Sequence, residues 1–211
     1  TKSDIIGYVA AFPIPEVVRG IDAFTLGLRS VKPNAKVKVI MVNSWYDPGK
    51  EHEAATSLIQ QGADVISQHT DSPGVVQAAE AAGVYSIGYH SDMSKFGPHA
   101  FLTAAVHNWN EFYVKRVQQV LDGTWESESV WGGLNTGMTK LAPLNTAIPA
   151  DVVAKVNTLK AEIASGKLHP FAGPIIDQAG KVIVKEGEVI SDGDLLGMSY
   201  YVEGVEGELS H

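Results

Sequence analysis

The chain has 211 residues, of which 45% are hydrophobic and 19% are charged, and none is cysteine. Its formal net charge of −8 at pH 7 argues against a general electrostatic attraction to nucleic acid or anionic lipid. The lack of cysteine excludes disulfide scaffolds, zinc–thiolate sites, iron–sulfur clusters and thiol nucleophiles. The length is sufficient for one domain, or for one domain and part of another.

The first 105 residues alternate short apolar runs with segments that repeat apolar residues at the helical period. Strands are predicted at residues 5–11, 36–43, 64–67, 84–89 and 100–104. Helices are predicted at residues 15–31, from the pair Asp47-Pro48 to Gly62, and from Ser72-Pro73 to Gly83. Strands and helices that alternate at this spacing predict an α/β fold, with a parallel sheet covered by helices on both faces.

The second half of the chain has a different pattern. Residues 108–121 are predicted to form an amphipathic helix and residues 151–164 another helix, and residues 123–149 are rich in Gly, Thr, Asn and Pro. Residues 171–196 contain two short strand-like runs separated by Ala-Gly and Glu-Gly pairs. This tail has too few apolar positions to form a core of its own, so we expect it to pack on another part of the protein.

In an open parallel sheet, ligands bind in the crevice beyond the carboxyl ends of the strands. The candidate binding residues are those that follow the predicted strands: Phe12, Trp45, His69, Asp71, His90, Asp92 and His107. Most are aromatic or form hydrogen bonds and few carry charge, which favours a flat, weakly charged aromatic ligand over a phosphate or a sugar acid. Asp47 is expected to cap a helix, and Tyr46 to face away from the site.

Each candidate also has a purely structural interpretation. Trp45 could cover the edge of the sheet, Asp71 could cap the third helix, and a lone histidine at a strand end is commonly a hydrogen-bonded surface residue. The three histidines, with Asp92 or Asp71 beside them, could instead bind zinc or a non-haem metal and activate water, although their spacing matches no compact metal motif. A metal-dependent enzyme with a histidine-rich site is therefore the alternative function.

Common nucleotide and hydrolase motifs are absent from the sequence: it contains no G-x-x-x-x-G-K-S/T, G-x-G-x-x-G, G-x-S-x-G or H-E-x-x-H. The first predicted strand ends in Ala-Ala-Phe-Pro rather than in a glycine-rich turn, which argues against a dinucleotide pyrophosphate on the first helix. The leading hypothesis therefore includes no cofactor and no metal.

Several sequence blocks, in order along the chain, resemble one known family. They are IGYVAAFPIPEVVRGIDAFTLG, VNSWYDPGKEHEAATSLIQQGADVISQHTDSPGVVQAAEAAG, SIGYHSDM, LTAAVHNW, GLNTGMTKLAPLN, IPADVVAKV, FAGPIIDQAGKV and SDGDLLGMSYYVEGV. The chain resembles the basic membrane protein family, substrate-binding lipoproteins of ABC importers whose characterised members take up purine nucleosides or related ligands. The resemblance covers essentially the whole chain.

The resemblance implies an architecture like that of type I periplasmic binding proteins, with two α/β lobes joined by crossing strands and the ligand in the cleft. Residues 1–125 correspond to the second lobe. Residues 126–211 correspond to a crossover and return segment, expected to pack on an N-terminal lobe that has no counterpart in this chain. The family's signal peptide and lipidated cysteine belong to that absent part.

The resemblance also implies ligand contacts. Trp45 corresponds to the aromatic residue that stacks on the purine, in the block written S-F/W-x-D-P. His90 stands where nucleoside binders have an acidic residue that pairs with the ribose hydroxyls, and His107 stands where they have a lysine. Because neutral imidazoles bind hydroxyls less strongly than Asp or Lys does, we expect a purine nucleobase such as adenine in preference to a nucleoside.

The leading hypothesis is a non-enzymatic solute-binding component of an ABC import system, located as a bacterial lipoprotein in the periplasm or on the cell surface. Its expected partners are a purine ligand, an ABC permease and the N-terminal lobe of the same protein. Contact with nucleic acid is not expected, and contact with the membrane only through a lipid anchor outside this chain. A transcription regulator or sensor built on the same fold would need a DNA-binding or membrane segment. None is visible in this sequence, and the absent N-terminal part is where one would have to lie.

Overall fold

A sheet of seven strands forms the framework of residues 1–209, the part of the chain that the computed structural model describes. The strands, in chain order, are β1 (Ile5–Ala10), β2 (Lys36–Met41), β3 (Val65–His69), β4 (Tyr85–His90), β5 (Phe101–His107), β6 (Thr139–Leu141), β7 (Ile175–Ile176), β8 (Val182–Val184) and β9 (Val205–Glu206). The large sheet has the order β6-β5-β4-β3-β1-β2-β9, and β7 pairs with β8 separately. All its neighbouring strands are parallel except β6, which is antiparallel to β5, so the predicted parallel α/β fold is confirmed.

The helices begin and end where local sequence signals place them. In chain order they are α1 (Pro15–Val31), α2 (Pro48–Gln60), α3 (Gly74–Ala82), α4 (Asn110–Leu121), α5 (Ala150–Ala164) and α6 (Asp192–Leu196). α1 and α2 begin at a proline, whose missing N–H needs no partner in the first turn. The Asp47 carboxylate caps α2, as predicted, by accepting a hydrogen bond from the Lys50 backbone N–H at 3.1 Å. α3 ends at Gly83, whose φ of 70° glycine adopts without strain.

Helices cover both faces of the sheet because successive residues of a strand point to opposite sides. On one face, Ile6 and Tyr8 of β1 belong to one buried cluster with Val17 and Ile21 of α1. On the other face, Val9 of β1 belongs to a second cluster with residues of α2 and α3. Both clusters hold the strands in register, so that the residues following them meet at one edge of the sheet.

The tail of the chain, residues 171–206, packs on this same lobe. Its buried residues Phe171, Tyr201 and Val205 belong to the apolar cluster that α1 forms with the sheet, and β9 pairs with β2. Packing of residues 126–211 on an N-terminal lobe stays a prediction. Within the described residues, the tail packs on α1 and β2 instead. The physical reason is that α1 and β2 leave an apolar surface that the tail covers.

Two long-range hydrogen bonds also fix the tail to α1. The Asp22 carboxylate accepts a hydrogen bond from the Val202 backbone N–H at 3.1 Å, and Arg19 Nη1 donates to the Leu195 carbonyl at 2.8 Å. Asp22 is fully buried, so its bond to Val202 lies inside the interface between helix and tail.

α4 and α5 contribute no buried residue to the described part of the chain. α4 has the predicted amphipathic pattern, yet its apolar side chains Val114, Val117 and Leu121 are 71%, 60% and 75% exposed. A contiguous apolar helix face normally lies against another element. Among residues 1–209, this face of α4 is left open. No helix in that range combines the length and the apolar character needed to cross a membrane.

Candidate functional site

A row of aromatic rings runs along the sheet edge at which β1 to β5 end. We call it the aromatic row, and its members are Phe12, Trp45, His69, Tyr89, His90, His107 and Trp109. Neighbouring ring centroids lie 4.0 to 6.2 Å apart, and the closest pair is His69 with Tyr89. Aromatic rings at these separations attract one another, so the row forms a continuous surface suited to a flat ligand.

The strand order explains why residues distant in sequence meet in this row. Phe12 and Trp45 follow β1 and β2, and His69, His90 and His107 are the last residues of β3, β4 and β5. Because β1 pairs with both β2 and β3, the strand order reverses at β1, and open parallel sheets bind ligands at such a point. The structure places these five predicted residues together.

Trp45, the predicted stacking residue, is exposed on this edge. Its ring centroid is 5.4 Å from that of Phe12 and 6.2 Å from that of His69, and 37% of the residue is exposed. Its carbonyl accepts a hydrogen bond from the Asp71 backbone N–H at 2.8 Å, which connects the loops after β2 and β3. Trp45 is therefore an aromatic surface supported by two loops, whereas Tyr46 is largely exposed and lies outside the row.

His69 lies buried at the centre of the row. Neither of its ring nitrogens has a hydrogen-bond partner among the described residues. Burial, aided by the charges of His107, Arg19 and His90, lowers the pKa of His69 to about 4, so its ring is neutral at pH 7. Gly20 of α1 makes room for this ring, because a Cβ at that position would be 3.0 Å from Nδ1 of His69.

Tyr89 and His107 form the polar contact of the row. The Tyr89 hydroxyl is 3.2 Å from His107 Nε2. Burial, with the charges of Glu16 and Asp71, raises the pKa of Tyr89, so the hydroxyl stays protonated and can donate to the imidazole. Burial and the neighbouring His90 lower the pKa of His107, which leaves this ring neutral at pH 7. The polar groups in the middle of the row therefore carry no charge.

His90 has an unusual backbone conformation for a residue with a side chain. Its φ is 72°, in the left-handed region that non-glycine residues rarely adopt, although Asn, Asp and His are enriched there. Its ring packs edge-on against His107 with centroids 5.3 Å apart. The turn after β4 thus holds an exposed imidazole at the rim of the row, and strain of this kind is typical of ligand-binding sites.

The predicted acidic residues lie outside the ring contacts. The Asp92 carboxylate accepts a hydrogen bond from the Ser94 N–H at 2.9 Å and so caps the short turn that follows β4. The Asp71 side chain is exposed, and Ser72 Oγ accepts a hydrogen bond from the Gly74 N–H at 3.1 Å at the start of α3. A role of Asp71 or Asp92 in binding stays a prediction.

Sequence reasoning missed four residues of this edge: Glu16, Arg19, Tyr89 and Trp109. Glu16 Oε1 is 3.8 Å from His69 Nε2, and the Arg19 guanidinium packs over the ring of Trp131 at 4.9 Å. Glu16 and Arg19 lie on the first two turns of α1, which begins at the same sheet edge. That placement was the available signal, because helix N-termini following parallel strands face the ligand.

The histidines do not form a metal site in the described part of the chain. Residues 1–209 contain no group of three or more His, Asp or Glu side chains arranged to hold a metal ion. His69, His90 and His107 contact aromatic neighbours through their ring faces and edges instead. The geometry therefore offers no support for the metal-dependent enzyme considered above.

The fold, together with the aromatic row at the sheet edge, indicates the class of protein to which the chain belongs. A solved solute-binding protein of an ABC transporter system from Conexibacter woesei DSM 14684 is similar to the chain, with a TM-score of 0.66 and 27% identity. The similarity covers 79% of this chain and 57% of that chain. The chain thus has the periplasmic-binding-protein-like fold of ABC solute-binding proteins.

Comparison of the chain with family models identifies its family within this class. The model of the Bmp family, described as ABC transporter substrate-binding protein PnrA-like, matches residues 1–169. The chain belongs to this family, which confirms the resemblance seen in the sequence blocks. The family is described as one of ABC transporter substrate-binding proteins.

Two curated relatives are similar over almost the whole chain. A purine-binding protein of Brucella abortus (strain 2308) is 49% identical over 209 residues, which are 99% of this chain and 59% of the relative. A protein of Haloferax volcanii, named as the ABC transporter glucose-binding protein TsgA13, is 43% identical over 210 residues. That match covers 99% of this chain and 51% of the relative. The chain therefore spans between half and three fifths of the length of these relatives.

Proposed function

We propose that this chain forms one lobe of the solute-binding component of an ABC importer and binds a purine at the aromatic row. The observation that carries the proposal is the contact of exposed Trp45 with Phe12 and His69 at the point where the strand order reverses. A planar heteroaromatic ring stacks on such a surface, and stacking of a base on an aromatic side chain contributes about 1–3 kcal/mol.

The two relatives differ in the ligand that their names give. The purine-binding relative is the more similar of the two, and the neutral, aromatic character of the row suits a heteroaromatic ring better than a polyhydroxylated sugar. Any binding test must nevertheless include glucose, because sugars also stack on aromatic side chains.

Within the purines, the nucleobase adenine is our first candidate and a nucleoside the second. The row offers His90 and His107 at the positions where nucleoside-binding family members are expected to hold ribose with charged residues. His107 is neutral at pH 7 because burial lowers its pKa. Hydrogen bonds from neutral groups are about half as strong as charge-assisted ones, so a ribose adds little affinity here.

The ligand is enclosed, in this proposal, between the described lobe and a second lobe that covers α4 and α5. The open apolar face of α4 and the greater length of the relatives support it. In this proposal, residues 1–107, β6 and the tail belong to the described lobe, and α4 and α5 lie against the second lobe.

Delivery and anchoring are part of the same proposal, and the family membership supports delivery to an ABC permease. The protein hands its ligand to an ABC permease and is held at the outer surface of the membrane by a lipid attached outside this chain. Fractionation of native cells tests the anchor: the protein partitions with membranes, and release into the soluble fraction without detergent contradicts anchoring.

Calorimetry on the full-length protein tests the binding proposal. The ligands are adenine, adenosine and glucose, and the variants are Trp45→Ala and Tyr85→Ala. Tyr85 is an exposed aromatic residue at the first position of β4, on the opposite edge of the sheet. We expect Trp45→Ala to weaken adenine binding about tenfold or more and Tyr85→Ala to leave it unchanged.

Two results would contradict the proposal. Glucose binding with no purine binding would assign the protein to sugars, and equal effects of the two substitutions would remove Trp45 from the site. Native mass spectrometry of the protein as purified provides an independent check, since a retained ligand of adenine or adenosine mass identifies base or nucleoside directly.

A further inference from the structure

Glu16 places a carboxylate beside the centre of the aromatic row, and no part of the family resemblance assigns it a role. Its Oε1 is 3.8 Å from Nε2 of His69. Its negative charge also acts on Tyr89 and His107, the two residues that form the polar contact of the row. Glu16 therefore faces the same space as three members of the row.

The buried His69 ring makes this arrangement more than an acidic residue on a helix surface. The His69 side chain is 4% exposed, whereas that of Glu16 is 55% exposed. Nε2 of His69 has no hydrogen-bond partner among residues 1–209, and it lies 3.8 Å from Glu16 Oε1, just beyond hydrogen-bonding distance. The buried imidazole and the exposed carboxylate therefore form an incompletely paired polar group beside the row.

The neighbouring cation does not neutralise this carboxylate. Arg19, one helical turn further along α1, donates Nη1 to the Leu195 carbonyl at 2.8 Å and packs over Trp131. Within the described residues, His69 is the sole ion-pair contact of Glu16, and its low pKa keeps it neutral at pH 7. Tyr89 is the other polar neighbour of this carboxylate, through a side-chain hydrogen bond, and a carboxylate has lone pairs for further donors. Glu16 thus keeps acceptor capacity at the edge of a weakly charged site.

We propose that Glu16 accepts a hydrogen bond from the exocyclic amino group of a purine base, and that it makes the site prefer amino-substituted bases to their oxo counterparts. An N–H donated to a carboxylate is a charge-assisted bond, about twice as strong as a neutral one. A carbonyl oxygen in the same place is itself an acceptor, so it repels the carboxylate oxygen and leaves it unpaired, which disfavours binding. The inference deepens the purine-binding function and rests on it.

The test is calorimetry of adenine and hypoxanthine on the full-length protein, with the variants Glu16→Gln and Glu53→Gln. The two bases have nearly the same shape but present an amino and an oxo group at the same ring position. Glu53 is an exposed carboxylate on α2, so Glu53→Gln makes the same change of charge away from the site. The side chain of Glu16 is about half exposed. Circular dichroism verifies that both variants are folded.

We expect the wild type to bind adenine more tightly than hypoxanthine. Glu16→Gln lowers the adenine affinity about tenfold or more and does not lower that of hypoxanthine, because its amide can donate to the oxo group. Glu53→Gln changes neither. An unchanged adenine-to-hypoxanthine ratio in Glu16→Gln, or a wild type that prefers hypoxanthine, overturns the role of Glu16 and leaves purine binding intact. A wild type that binds neither base overturns the function and this inference together.

Discussion

Asp22 is a buried acidic residue whose ionisation affects the stability of the fold. It lies fully buried on α1, and one carboxylate oxygen accepts the Val202 N–H while the other has no partner among the described residues. Burial raises its pKa to about 8, although the hydrogen bond from Val202 opposes the shift. Between about pH 4 and pH 8, the folded protein therefore keeps the Asp22 proton. The unfolded chain, with an ordinary Asp pKa near 4, has already lost it.

This difference predicts that the contribution of Asp22 to the free energy of unfolding falls as the pH rises from about 4 to about 8. Above pH 8 both states are ionised and the contribution is constant. Asp22→Asn keeps the acceptor for Val202 and cannot ionise, so we expect the variant to be more stable than the wild type at pH 8 by about 3–5 kcal/mol. Urea unfolding at several pH values measures the difference.

The matched control is Asp151→Asn, which makes the same change at an exposed position of α5. The pKa of His69, lowered to about 4, gives the opposite slope between pH 4 and 6.5, since there the unfolded chain binds the extra proton. That contribution is common to the wild type and both variants and cancels in the comparison. A stability difference for Asp22→Asn that does not vary with pH would show that Asp22 is ionised in the fold.

Among the elements, the tail depends on packing against α1 rather than on its own secondary structure. β7, β8 and β9 have two or three residues each, too few to be stable alone. Tyr201 is 2% exposed and its hydroxyl has no partner among the described residues. The ring of Tyr201 therefore stabilises the tail, and the hydroxyl does not.

A pair of substitutions at Tyr201 separates these two contributions. Tyr201→Ala removes a buried ring and is expected to lower the free energy of unfolding by about 3–5 kcal/mol. Tyr201→Phe keeps the ring and removes an unpaired hydroxyl, so its effect is within about 1 kcal/mol or stabilising. Denaturant unfolding measures both, and a large loss in Tyr201→Phe would reveal a hydrogen bond to the hydroxyl.

The sequence predicted the elements that have a strong local period and missed those defined by distant partners. α1 and the strands β1 to β5 were predicted within a few residues, since apolar periodicity and caps are local signals. β6 and β9 were not predicted, because pairing with β5 and β2 alone makes them strands. Docking of the tail was missed for the same reason, since its contact from Val202 to Asp22 spans 180 residues of sequence.

The candidate site was predictable to the extent that it follows from strand ends. Trp45, His69 and His107 could be placed at one edge because the carboxyl ends of parallel strands meet there, and their contact with a ligand stays a prediction. Glu16 was missed because an acidic residue in the first turn of a helix is already favoured by the helix dipole, so it gives no separate signal of binding. Tyr89 was missed because its position inside β4 indicated packing rather than a surface.

At the scale of the whole molecule, the open face of α4 predicts a second lobe. The chain contains no cysteine, so a single Val117→Cys substitution introduces one thiol on this face. We expect a thiol reagent to modify it rapidly in the isolated chain and at least about tenfold more slowly in the full-length protein, because buried groups react only through local opening. Mass spectrometry follows the modification over time.

Glu53→Cys, on the exposed side of α2, is the control and is expected to react rapidly in both proteins. The unsubstituted full-length protein gives the background from any thiol outside this chain. Equal rates for Val117→Cys in the isolated and the full-length protein would mean that no second lobe covers α4, and the ligand would then be bound by a single lobe.

The left-handed backbone at His90 also limits how this site can diverge among relatives. With φ at 72°, the position accepts glycine, asparagine, aspartate and histidine far more readily than branched or bulky residues. The aspartate expected in nucleoside binders and the histidine found here both belong to that small set. An exchange between them alters the charge offered to the ligand while the turn after β4 is kept, so selection can change specificity here by single substitutions without first rebuilding the loop.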